Sequence, residues 1–164
     1  MTPITQHATR LADGRELIYF DDADTTLGPH RAVDARVLDP RPETATMRQD
    51  VLTGEWVSIA AARQNRVFLP PADQDPLAPQ TPANPSEVPA LYDVAVFENR
   101  SPSFGPALRG TAADPPLDRD DLAELCIGRT RTSVGLCEVV CFTPDTTGSF
   151  GTQSVTRART VIEA

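Results

Sequence analysis

With 164 residues the chain is long enough to bury a core of its own, although aromatic residues make up only 5% of it and prolines number 16. A formal net charge of -8 argues against a nucleic-acid backbone as partner, since that requires a basic face. No apolar run reaches the length of a membrane span, and the opening residues lack the basic-then-apolar order of a secretory signal.

Three cysteines without framework spacing suit reduced thiols, so a cytoplasmic location is expected. Residues 1–14 read as a loose lead-in containing His7, closed by a turn at Asp13-Gly14. Glu16 to Phe20 is expected as a short strand. From 21 to 46, Asp, Pro, Gly and Arg mix without a sustained period, which predicts a long surface connection carrying His30. Thr53-Gly54 is a tight connection, and Trp56, Val57 and Ile59 suit a half-buried strand over 55–60. Arg63 and Arg66 follow, three residues apart, so on a helical turn they point the same way. Two guanidiniums beside a strand end can clamp a phosphate ester through paired N–H donors. The alternative is two solvated surface arginines.

Residues 70–90 hold seven prolines and no glycine, which excludes helix and central strand. Composition alone makes this segment a linker or disordered. Over 93–98 both faces are apolar, the pattern of a central strand, and Asn99 reads as a turn residue ending it. After an irregular stretch from 102, a short helix is expected at 119–126, with acids early, Leu122 and Leu125 three apart and Gly128 closing it. A strand at 137–143 and a loop from Thr146 lead to Ser154, an N-cap for a helix with Val155, Ala158, Val161 and Ile162 on one stripe. That helix has no stop signal before Ala164 and is short enough to need a packed partner, so the chain is expected to be half of something.

Nucleophiles are scarce. His7 and His30 read as exposed loop residues. Cys137 and Cys141 share a face of one predicted strand but stand roughly 13 Å apart at strand rise, too far for a disulfide or a shared ion. Buried strand cysteines are ordinarily inert, and Cys126 has no basic partner in the sequence.

The blocks MRQDVLTGEWVSIAAARQNRVFLP (47–70), YDVAVFENRSPSF (92–104), CEVVCFTPD (137–145) and SVTRARTVIEA (154–164) carry a resemblance. In order and in wording the chain resembles the N-terminal half of the galactose-1-phosphate uridylyltransferases, in the form seen in actinobacteria. The resemblance implies an α+β fold of the histidine-triad superfamily: a mostly antiparallel sheet with long Pro-rich loops and a C-terminal helix, present as one incomplete domain over 1–164. It implies transfer of the uridylyl group from UDP-glucose to galactose 1-phosphate in galactose metabolism (the Leloir pathway), through a histidine of a His-Pro-His-Gly-Gln motif. Neither His7 nor His30 lies in such a motif, so no catalytic residue is assigned and the chain alone is expected to be inactive.

By position, the resemblance makes Arg63 and Arg66 phosphate contacts and Leu77 a uracil contact. Phe97 and Asn99 line base and ribose, and Arg100 stands next. Ser101 departs from the phenylalanine common there. The Pro-rich loop becomes a packed loop over the nucleotide. The family's structural zinc would fall at Asp75, Ala78 and Thr146, which cannot form a thiolate and imidazole site, so no metal or other cofactor is expected. Expected partners are UDP-glucose or another uridine nucleotide and a second polypeptide or missing C-terminal half. Family members dimerise, and neither nucleic acid nor membrane is expected. The rival readings are a non-catalytic relic or module holding a uridine nucleotide or a protein, and a related nucleotidyltransferase with another acceptor.

Overall fold

A computed structural model describes residues 3–41, 45–63, 70–105 and 129–164. Among them the strands are, in chain order, β1 Thr5–Arg10, β2 Glu16–Asp21, β3 Thr46–Gln49, β4 Trp56–Ile59, β5 Val94–Glu98, β6 Thr130–Thr132 and β7 Glu138–Cys141, followed by the helix α1 Val155–Glu163. The architecture is mostly antiparallel sheet with a C-terminal helix, consistent with α+β. The chain divides into two compact units: Met1–Pro40, Phe68–Glu98 and Glu138–Ala164 form the first, and Arg41–Val67 with Asn99–Cys137 the second.

The first unit holds a four-stranded sheet in the order β1-β2-β5-β7, antiparallel throughout. Pairing Leu17 with Phe97 and Tyr19 with Ala95 puts these four on one face, where they join Leu11, Val88, Tyr92 and Cys141 in the core. The opposite face gathers Phe20, Val94 and Val96. β5 therefore packs on both sides, as its two-faced apolar run predicts. The lead-in is not loose. Residues 5–10 pair along the whole of β2, through a turn in which Gly14 takes φ 84, a conformation that costs glycine nothing. β1 is polar and half-exposed, so its strand character comes from β2 rather than from its own pattern.

The Pro-rich segment is packed, against the linker its composition suggests. Gln80 N–H donates to Val88 O at 2.8 Å and Glu87 N–H to Pro76 O at 2.7 Å. Pro79 and Val88 form a bridge, and Ser86 and Val88 are buried. Proline stiffness leaves little chain entropy to lose here, and a few backbone hydrogen bonds fix the rest. The described part of the expected connection, up to 41, is anchored too, by the buried Asp34.

Ser154 caps α1 as expected, its side chain accepting from Arg157 N–H. The apolar stripe, however, does not seat the helix. Val155 is 89% and Ile162 79% exposed, and only Val161 packs on the Phe20, Val94 and Val96 cluster. Polar groups hold it instead. Arg157 Nε donates to Asp22 Oδ2 at 2.8 Å, its Nη2 to Asp93 Oδ1 at 2.7 Å, and the Thr160 hydroxyl to Asp22 Oδ1 at 2.5 Å.

The second unit holds a sheet in the order β4-β3-β6. β4 bears out the strand expected at 55–60, but β3 and β6 lie where no strand was predicted. The β3–β4 turn is built by Asp50, whose Oδ1 accepts from Leu52 and Thr53 N–H, with Gly54 at φ 74. The Arg131 guanidinium lies 4.3 Å from the Trp56 ring centroid, a cation–π contact across this sheet. The helix predicted at 119–126, Cys126 within it, and Arg66 lie outside the described residues.

Candidate functional site

Within the second unit, Arg63 ends a short 3-10 turn, Ala61–Arg63, and is exposed. Its Nη1 donates to Ser101 O at 3.2 Å. Ser101 N–H in turn donates to Asn99 Oδ1 at 3.0 Å, an Asx turn closing the end of β5. Asn99 N–H donates to Cys137 O at 2.7 Å. The structure thus brings Arg63 to the turn carrying Asn99, Arg100 and Ser101. Guanidinium carries five N–H donors, and with the described residues Arg63 spends one of them on this bond, which leaves donors for an anion.

In the first unit, Phe97 and Leu77 differ. The Phe97 ring is 3% exposed and lies in the core, with the Arg15 guanidinium 5.9 Å from its centroid. Leu77 is 37% exposed and lines a cavity of about 210 Å³ with Asp75, Ala78, Tyr92, Cys141 and Thr146. The Tyr92 hydroxyl donates to Leu77 O at 2.8 Å and to Thr143 O at 3.0 Å. Burial drives the Tyr92 hydroxyl well above the ordinary phenol range. Burial also pushes the Cys141 thiol up to about 11, against the opposing Tyr92 hydrogen bond, so it is a thiol, not a thiolate, at neutral pH. Nothing in the sequence assigned Tyr92 a role. Its only signal was a hydroxyl-bearing ring at the mouth of an otherwise apolar strand.

Charged groups stiffen the loop from behind. Buried Arg15 donates from Nε to Asp13 Oδ2 at 2.8 Å and from Nη2 to Glu87 Oε2 at 2.5 Å. Arg36 pairs with Asp34 at 2.7 Å, and Asp34 also accepts from Ala12 N–H and Gln80 Nε2. Burial alone would raise the Asp34 carboxyl, but these donors together hold it well below the usual carboxylate range. His7 is no loop residue. It stands on β1, half-buried, with Nε2 3.1 Å from Asp21 Oδ2. Asp21 is buried and also pairs with Arg31.

The chain is 41% identical over 157 residues to a galactose-1-phosphate uridylyltransferase of Streptomyces lividans, covering 96% of this chain and 36% of that protein. Its sequence relatives are galactose-1-phosphate uridylyltransferases. A second, from Thermotoga maritima, is 33% identical over 99 residues, covering 60% of this chain and 27% of the relative. The chain therefore spans about a third of the length of the curated relatives it matches, in the N-terminal part of the first. No family model matches the chain, and no solved structure matches it either.

Asp75 and Ala78 line one space in this chain with Thr146, which is distant from them in sequence. Asp75 Oδ1 is engaged by Leu77 N–H at 2.8 Å, Ala78 has no donor atom and Cys141 is protonated. Among the described residues no group of three or more His, Cys, Asp and Glu is placed to hold a metal ion. No helix among them is long and apolar enough to cross a membrane.

Proposed function

We propose that the chain is the N-terminal portion of a UDP-glucose–hexose-1-phosphate uridylyltransferase, binding a uridine nucleotide but not transferring it unaided. The observation that supports this reading best is Arg63, exposed and seated against the Asn99–Arg100–Ser101 turn. There a guanidinium meets a phosphate with little ordering cost. Leu77, apolar and open beside its cavity, suits a pyrimidine face. Arg66 would add a second cation and Arg100 a third.

On this reading the sheet belongs to an incomplete histidine-triad-type transferase fold, and the chain acts in the cytoplasm together with the remainder of the transferase, a second polypeptide or its own C-terminal half, which supplies the nucleophilic histidine. We take the donor set at Asp75, Ala78 and Thr146 as a site without zinc. The lack of a His-Pro-His-Gly-Gln motif equally favours a second reading, a nucleotide-holding module without catalysis.

The test is calorimetry with UDP and UDP-glucose. The chain should bind UDP, and Arg63→Ala, a surface change, should weaken binding by about tenfold, the worth of one charge-assisted contact. UDP bound equally well by parent and variant would remove Arg63 from the site. Uridylyl transfer by the purified chain alone would refute the missing nucleophile.

A further inference from the structure

We infer that Tyr92 is a positioning residue whose hydroxyl ties the 75–78 turn to the 143–146 turn and so sets Leu77 for a nucleobase. The inference rests on the uridine-nucleotide reading for its ligand, but not for the tie itself.

The geometry is specific. Tyr92 is 2% exposed, so its hydroxyl cannot turn to solvent. It reaches Leu77 O at 2.8 Å and Thr143 O at 3.0 Å. One proton shared between two carbonyls is a three-centre bond, and both acceptors sit in loops rather than in the sheet. Cys141 lines the same cavity. The buried hydroxyl is satisfied by the two carbonyls, as a buried polar group requires. The 75–78 turn is held from its far side as well: Asn84 Nδ2 donates to Asp75 O at 2.8 Å, and Ser86 Oγ donates to Ala78 O. Leu77 thus sits on a turn pinned at the carbonyls of residues 75, 77 and 78, with its side chain 37% exposed.

A tetrahedral ion would need anionic sulfur or imidazole at these positions. The cavity lining holds the carboxylates of Asp75, engaged by Leu77 N–H, and of Asp145, with a methyl, a hydroxyl and a protonated thiol, but no imidazole and no thiolate. The hydroxyl of Tyr92 reaches both turns without any of them.

Tyr92→Phe keeps the ring in the core and removes only the oxygen. Amide hydrogen exchange at 77–78 and 145–146 should speed up by about five- to tenfold, the worth of a lost buried hydrogen bond, while β2 and β5 stay protected. UDP affinity should fall by a similar factor, and binding of inorganic pyrophosphate, which has no base, should not change. Leu77→Ala should lower UDP affinity in the same way without altering exchange at 145–146. Purified parent protein should contain no stoichiometric zinc by mass spectrometry, and a chelator should leave exchange unchanged.

Unchanged exchange in Tyr92→Phe would overturn the tie. Faster exchange with unchanged UDP affinity would overturn the positioning role. One equivalent of zinc, with turns that loosen on its removal, would overturn both. If the parent binds no UDP, the nucleotide reading fails, and the exchange arm still decides the tie by itself.

Discussion

Asp34 shows how a single side chain can steady a long connection. Its side chain is fully buried, and its carboxylate gathers Arg36, Ala12 N–H and Gln80, joining the segment after β2 to the β1–β2 turn and to the Pro-rich loop. Its folded pKa lies below the unfolded one. In acid the unfolded chain therefore binds more protons. The stability Asp34 supplies is complete above its unfolded value of about 3.9 and is lost as pH falls through and below it. Asp34→Asn should cost about 1–3 kcal/mol at pH 7, the penalty of breaking a buried charged hydrogen-bond set. It should also flatten the fall of stability below pH 4. Urea unfolding midpoints measured from pH 3 to 7 check both; an unchanged acid slope would mean another carboxylate governs it.

At the scale of elements, α1 is seated by charge rather than by its apolar stripe. Arg157 meets Asp22 and Asp93, both largely buried, and Thr160, fully buried, bonds Asp22. Truncating Arg157 leaves two carboxylates without their cation, so Arg157→Ala should destabilise the chain by about 3 kcal/mol. Ile162→Ser, at a position 79% exposed, should cost no more than about 0.5 kcal/mol. Denaturant titration of the two variants ranks them, and the reverse order would restore the stripe as the anchor. The Pro-rich segment makes the same point. Its hydrogen bonds run between residues 75 and 88, and together with Val88 in the core they make it an element of the first unit.

For the molecule as a whole, the governing fact is that 96% of this chain matches only 36% of its Streptomyces lividans relative. On the proposed function, mixing the chain with a polypeptide corresponding to the remainder of that relative should restore uridylyl transfer from UDP-glucose. Neither part should act alone, and the Arg63→Ala chain should restore it weakly. Transfer is measured by nucleotide-sugar release. Binding of UDP without any restored transfer would leave the module reading in its place.

The sequence by itself determined what depends on neighbours along the chain. β5 is legible because a run apolar on both faces has only one comfortable place, between two packed layers. β2, β4, the Ser154 cap and the turn at Gly54 are likewise local signals. So is the absence of a nucleophilic histidine motif. The tertiary structure decided whatever depends on distant groups. TQHATR, TMRQ and TRT carry no strand pattern, yet they became β1, β3 and β6 because a paired backbone needs no particular side chain once its neighbour strand is fixed. Arg157 and Thr160 displaced the predicted stripe because two aspartates from elsewhere in the chain had to be paired where they were buried. The meeting of Leu77, Tyr92 and Thr143 is of the same kind: a hydroxyl and two carbonyls converge through the fold, and no spacing along the chain announces it.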